Sequence, residues 1–156
     1  MEIERGKNMK KFLKLLSVLS LLLVMITGCS STNVETLDKD GWYYSKEDVS
    51  LYIYTYGDLP DNYITKNEAY DLGWNSKEGN LWDVAEGMCI GGDRFGNYEG
   101  LLPKESGRQY YECDIDYNGG YRNEKRIIYS NDGLIYYTED HYESFEVINY
   151  CKSSTF

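Results

Sequence analysis

Beyond its N-terminal leader the chain has little positive charge. It also has almost no histidine and no long apolar run, and each shortage narrows what it can be. From Cys29 onward there are 11 lysines and arginines against 24 aspartates and glutamates, a net charge of −13. A generic nucleic-acid-binding module carries a basic face. This surface repels polyanions at long range, so any chemistry on a nucleic acid must rest on a local cationic pocket. There is one histidine, His141, and the four cysteines, Cys29, Cys89, Cys113 and Cys151, are scattered. No Cys/His spacing of a metal site is present, and neither metal nor cofactor is expected. The longest apolar run, Leu15 to Ile26, is broken by Ser17 and Ser20. As a helix it would extend about 18 Å against a hydrocarbon core of roughly 30 Å, too short for a comfortable span. No internal repeat and no low-complexity domain is visible.

The short apolar run has a different reading. Lys10, Lys11 and Lys14 precede it, and Ile26-Thr27-Gly28-Cys29 closes it. A basic start, an apolar middle and small residues before a cysteine mark 1–28 as a lipoprotein-type signal peptide, with Cys29 as the acylated residue. The expectation is an exported protein, extracellular or anchored to the outer face of the cytoplasmic membrane, touching the membrane only through its lipid. Residues 29–44 read as a polar tether, 45–148 as one folded domain, and 149–156 as a tail with no assigned structure.

Within the domain the first half predicts helices and the second half strands. Ser45-Lys46-Glu47-Asp48 is a helix start, with Ser45 as N-cap. The residues that follow, Val49 to Tyr56, fit a strand by alternation and a helix by recurrence; the cap and Gly57 as a stop favour the helix. Leu59-Pro60-Asp61-Asn62 is a turn. Thr65-Lys66-Asn67-Glu68 is a capping box opening a helix that ends at Gly73. Asn80 starts a third helix that runs to about Ala85. Strands are predicted over 88–94, 109–115, 126–130, 134–138 and 144–148, with Asn131-Asp132-Gly133 as a tight hairpin. The fold class expected is α+β, with short N-terminal helices packed on one face of an antiparallel β-sheet. The 17 tyrosines suit such strands.

The chemistry-bearing residues concentrate between Tyr110 and Tyr142, on what read as successive strands. They are Glu112, Arg122, Arg126 and His141. A carboxylate base, a histidine acid and a cationic cradle suit phosphodiester transfer from a ribose 2′-hydroxyl. The same residue types on a solvated sheet edge carry no chemistry. Types alone leave both readings open, and the bland one is the commoner.

From Leu59-Pro60-Asp61-Asn62-Tyr63-Ile64-Thr65-Lys66 the chain resembles the barnase family of extracellular guanyl-preferring microbial ribonucleases. The match runs ungapped through Leu72-Gly73-Trp74, Gly79-Asn80-Leu81, Ile90-Gly91-Gly92-Asp93, Ser106-Gly107-Arg108, Arg122-Asn123 and Asp140-His141-Tyr142. It covers about Ser45 to Ile148. The resemblance implies Glu112 as general base, His141 as general acid, and Lys66, Arg122 and Arg126 as phosphate-contacting cations. It implies that Asp93 and Asp114 hold those cations by buried ion pairs and that Tyr142 lines the site beside the histidine. In the guanine loop it implies that Glu99 meets the base N1 and N2 protons and that backbone N–H groups around Asn97 and Tyr98 meet O6. The substrate implied is single-stranded RNA, cleaved after guanine to a 2′,3′-cyclic phosphate and then hydrolysed. The partner implied is a barstar-like inhibitor, and the chain is expected to be a monomer.

The chain departs from the family pattern at several points. Tyr98 stands where the family carries an arginine, Gly96 where it has a serine and Gly133 where it has a tryptophan. Cys89, Cys113 and Cys151 have no counterpart, and their pairing is open. Cys113, next to Glu112 on a strand, is expected to face the core as a small apolar residue. The acidic body and Tyr98 leave room for a non-catalytic or weakly active surface lipoprotein that keeps the fold. A second alternative is an antagonistic toxin ribonuclease, which shares the chemistry and would be favoured by a barstar-like inhibitor gene beside this one.

Overall fold

The computed structural model of the chain describes residues 37–150. The expected signal peptide at 1–28, Cys29 and Cys151 lie outside them. Nine elements follow in order: α1 (Lys46–Tyr56), β1 (Tyr63–Ile64), α2 (Lys66–Asp71), α3 (Leu81–Val84), β2 (Cys89–Phe95), β3 (Tyr110–Asp114), β4 (Arg126–Ser130), β5 (Ile135–Thr138) and β6 (Glu146–Val147). The six strands form one sheet in sequence order, β1 to β6. Every neighbouring pair is antiparallel except β1 with β2, which run parallel. The α+β architecture is as the sequence predicts. The parallel edge strand β1 is new, and β6 is shorter than the predicted 144–148.

Local chemistry sets the helix ends. Ser45 Oγ accepts from the Asp48 N–H at 3.1 Å, and Gly57 closes α1 in the left-handed region with φ 74°. Thr65 and Glu68 form the full capping box of α2; such caps contribute about 1 kcal/mol each. Asn80 behaves otherwise than predicted. Its side chain makes no cap; it accepts from Asn75 N–H at 2.6 Å and donates to Gly73 O at 3.2 Å. It therefore ties the α2–α3 connection together, and α3 is a single turn.

The two-residue period of the strands divides the sheet into two working faces. On one face Cys113, Ile127, Tyr129, Ile135 and Tyr137 pack against Val49 and Ile53 of α1. Burying each of those two helix side chains stabilises the fold by about 1.5–3 kcal/mol. A second cluster under α2 and α3 joins Ala69, Trp74, Leu81, Cys89, Ile90 and Tyr117. On the opposite face Tyr110, Ile128 and Tyr136 pack with Leu102. Glu112 pairs across to Ile128, and Asp114 to Arg126, which in turn pairs with Thr138. Alternation thus puts Glu112, Asp114 and Arg126 on the face that α1 leaves open. Cys89 and Cys113 are free, buried thiols. Burial pushes the Cys89 thiol up to about 12 and the Cys113 thiol well above its ordinary value, so both stay protonated in the core.

The ends of the domain also differ from expectation. The last residues of the 29–44 tether belong to the folded body. Tyr56 and Tyr52 donate to the carbonyls of Leu37 and Lys39, and Asn62 exchanges hydrogen bonds with the Tyr43 backbone. At the other end the Tyr150 ring stacks on Tyr54 with centroids 4.8 Å apart, so the tail begins on the domain.

Candidate active site

Glu112 lies in the middle strand β3 and is 7% exposed. Both of its oxygens are held. Lys66 Nζ, at the N-terminal turn of α2, lies 2.5 Å from Oε1, and the Tyr142 hydroxyl donates to Oε2 at 2.6 Å. Burial pushes the carboxyl up, but the hydrogen bonds from Lys66 and Tyr142 and the charges of Lys66 and Arg122 outweigh it. The carboxyl is held below its ordinary value. Glu112 is therefore ionised at neutral pH although it is nearly buried. Burial, with the bond to Glu112 behind it, pushes the Tyr142 phenol up, so it remains a donor.

Two guanidiniums share one buried carboxylate beneath this. Arg122 Nε and Nη2 grip Asp114 at 2.7 and 2.6 Å in a two-point pair. Burial opposes the charge on Arg122, and Asp114 overrides it, so the guanidinium stays above its ordinary value. Arg126 Nε lies 3.0 Å from Asp114 Oδ1 without the alignment of a hydrogen bond, so that contact is charge against charge. Arg126 Nη1 donates to the Lys125 carbonyl at 2.6 Å. The bonds formed among the described residues leave Arg122 Nη1 and Arg126 Nη2 for a ligand.

Arg122 and His141 do not sit on strands, as their sequence setting suggests, but on loops braced from below. Asn123 donates to the carbonyls of Ile115 and Asp116 and accepts from Lys125 N–H, which fixes the loop carrying Arg122. That loop meets Gly79, where a Cβ would fall 2.8 Å from Gly120 backbone carbon, so only glycine fits there. His141 and Tyr142 are consecutive residues with positive φ, 55° and 76°. Left-handed backbone at two non-glycine residues is strained and persists because the surroundings impose it. Thr138 Oγ1 accepts from Tyr142 N–H at 3.0 Å, and Asp140 accepts from Thr138 and from both Ser144 donors. Those bonds, led by Ser144, lower the Asp140 carboxyl to about 2. A carboxyl so depressed supports its loop above its ordinary 3.8, and that support is lost as pH falls through about 2. The exposed His141 ring lies against Tyr142, centroids 4.7 Å apart.

Lys66, Glu112, Arg122, Arg126, His141 and Tyr142 line one groove of about 690 Å³, together with Tyr98 and Glu99 of the loop after β2. A larger groove of about 980 Å³ lies beyond α1 and the β4–β5 hairpin and contains none of the six. Asn97 is brought to the site as a brace. Its side chain donates to and accepts from the Leu102 backbone at 2.9 and 3.0 Å, closing the loop with φ 44°. Tyr98, at the loop tip, is 91% exposed.

Asp93 corrects an expectation. Among the described residues it makes no ion pair; its Oδ2 accepts from the Lys66 backbone N–H at 2.9 Å. It anchors the start of α2 and thereby aims Lys66. The register of β2 against β3 shifts between Gly91 and Asp93, next to that contact. The bracing group Thr138, Asp140 and Ser144 and the direct bonds of Lys66 and Tyr142 to Glu112 escaped the sequence. The spacing of Thr138, Asp140 and Ser144 around His141 was the available signal.

A family model described as ribonuclease matches residues 46–149. The chain belongs to the ribonuclease family. This ribonuclease is 55% identical over 97 residues to a ribonuclease of Heyndrickxia coagulans, covering 62% of this chain and 89% of that one. It is equally identical over 97 residues to a ribonuclease of Bacillus intermedius, of which it spans 60%. Guanyl-specific ribonuclease St of Saccharopolyspora erythraea is 39% identical over 57 residues, 36% of this chain and 56% of that one. The matched residues take in all six strands and Lys66, Glu112, Arg122, Arg126, His141 and Tyr142.

Proposed function

We propose that this ribonuclease is an endoribonuclease that cleaves single-stranded RNA after guanine. Its 2′-hydroxyl attack yields a 2′,3′-cyclic phosphate that water then opens. The observation that carries this reading is a buried Glu112 paired with Lys66, with Arg122, Arg126 and His141 lining the same groove. Glu112 takes the 2′-hydroxyl proton as the oxygen attacks phosphorus in line. His141 gives its proton to the departing 5′-oxygen, and the two exchange roles in hydrolysis. A lysine ammonium has three donors, so Lys66 can meet a phosphoryl oxygen when substrate frees one oxygen of Glu112. Arg122 and Arg126, already fixed by Asp114, offer remaining N–H groups to the charge that grows on the phosphoryl oxygens. Guanine preference rests on the Asn97-braced loop with Glu99 at its rim, and on the similarity to a relative named as guanyl-specific. Steady-state cleavage of GpA, ApA and UpA by the purified protein tests it. GpA is expected to be cleaved fastest, with a cyclic phosphate appearing before the 3′-phosphate. Equal rates on all three would remove the guanine assignment.

The acidic limb of kcat/KM against pH reports Glu112 in the free enzyme. Its carboxyl lies below the ordinary 4.5, so activity should persist to lower pH than an unperturbed carboxylate allows and fall only as Glu112 takes up a proton. Lys66→Met and Tyr142→Phe each remove a group that favours the ionised form, while burial remains. Both should move the acidic limb to higher pH, whatever they do to the plateau. A limb that stays in place in both variants would mean that another group sets it.

A further inference from the structure

The catalytic groove continues past the 96–99 loop into a second groove of about 580 Å³, lined by Arg94, Tyr98, Lys104, Arg108 and Tyr110. On a body with a net charge of −13 from Cys29 onward, three cations on one small surface are out of keeping with their surroundings. Arg108 is spoken for: it grips Asp132 through Nε and Nη2 and donates to Pro103 O at 3.1 Å. Tyr110 donates to the same carbonyl at 2.7 Å, so the wall behind the groove is fixed. Arg94 and Lys104 have no ion pair among the described residues. Lys104 Nζ lies over the loop turn, 3.5 Å from where a Cβ on Gly100 would be. The one carboxylate of this lining, Glu105, accepts from Ser106 N–H.

Tyr98 stands on the crest between the two grooves. Its ring lies over Gly96, where a side chain would have to turn the ring aside. An exposed ring beside two uncommitted cations is the arrangement that holds single-stranded nucleic acid, with the base on the ring and phosphates on the charges.

We propose that Arg94, Lys104 and the Tyr98 ring form a subsite for the nucleotide on the 5′ side of the cleaved guanosine. The inference rests on the proposed RNA cleavage for its polarity. His141 protonates the leaving 5′-oxygen, so the downstream strand departs on the His141 side, where a third groove with Arg122, Tyr121 and Asn123 begins. The Arg94–Lys104 groove opens from the other end and receives the upstream strand.

The test compares GpA, a 5′-extended UpUpGpA and a 3′-extended GpApU on wild type and the Arg94→Gln/Lys104→Gln double variant. In the wild type the 5′ extension should raise kcat/KM. The double variant should lose about 3- to 10-fold on UpUpGpA at low salt and stay within about twofold on GpA and GpApU. Its slope of log kcat/KM against log salt on UpUpGpA should flatten by roughly 0.7 for each phosphate that is no longer neutralised. Equal losses on all three substrates, a loss confined to GpApU, or no benefit of the 5′ extension in the wild type would overturn the subsite. The same oligonucleotides with 2′-deoxyguanosine at the cleavage point give a second readout by fluorescence anisotropy. A 5′-extension gain in affinity that vanishes in the double variant supports the subsite even if wild type fails to cleave GpA, an outcome that would strike the proposed activity alone.

Discussion

Glu112→Gln and His141→Ala should each lower kcat on a guanine-containing oligonucleotide by at least about 10²-fold, the usual scale for a positioned base or acid. The glutamine is close to isosteric and can still accept from Tyr142, so the groove keeps its shape. It cannot take up the 2′-hydroxyl proton. The loss should therefore fall on kcat with little change in KM, as when an interaction made only in the transition state is removed. His141 is exposed and carried on a braced loop, so its replacement by alanine should leave the thermal midpoint almost unchanged. Circular dichroism melts alongside steady-state kinetics make the check. Either variant retaining wild-type kcat would remove that residue from the chemistry.

Legibility in the sequence followed the range of the forces involved. Caps and strands are set by neighbours in the chain, so Ser45, the Thr65 capping box and Arg126–Ser130 could be read directly. Cys113 faces the α1 side because alternation from a groove-side Glu112 leaves it no other choice. What escaped depends on contacts between distant segments. β1 exists because Cys89 N–H donates to Asn62 O at 2.8 Å, across a separation that no local pattern announces. Asp93 reads like a partner for a side-chain cation, yet the start of α2 reaches it first with a backbone N–H. Lys66 was legible as a cation of the site; its pairing with Glu112 required two strands and a helix to be in place. Asn80 has the type of a cap and the position of one, but the turn at Asn75 competes for its oxygen and wins.

The other large effect is expected at Asp114. Its side chain is 1% exposed and holds two positive charges, of which Arg126 is 4% exposed. Asp114→Leu removes the negative charge and strands the Arg126 guanidinium in the sheet. Breaking one partner of a buried pair costs about 3–5 kcal/mol, because the charge left behind has neither water nor counter-ion. Arg122, 21% exposed at its side chain, can turn to solvent and adds less to that loss. Urea unfolding should show the deficit as a lower midpoint with little change in slope. The second arm separates charge from packing. In Asp114→Leu/Arg126→Met neither charge of the pair remains, and apolar side chains of similar size replace it. Most of the lost stability should return, since a buried pair and a well-packed apolar replacement are often nearly equivalent. Cleavage should not return. Arg126 is then absent and Arg122 has lost the carboxylate that aimed it, so kcat/KM should stay at least about tenfold below wild type, the loss expected when fixed donors no longer meet the developing charge. A double variant as unstable as the single one would show that packing at Asp114, not its charge, holds this part of the sheet. A double variant that regained activity with its stability would show that the two guanidiniums are structural and that Lys66 alone meets the phosphate.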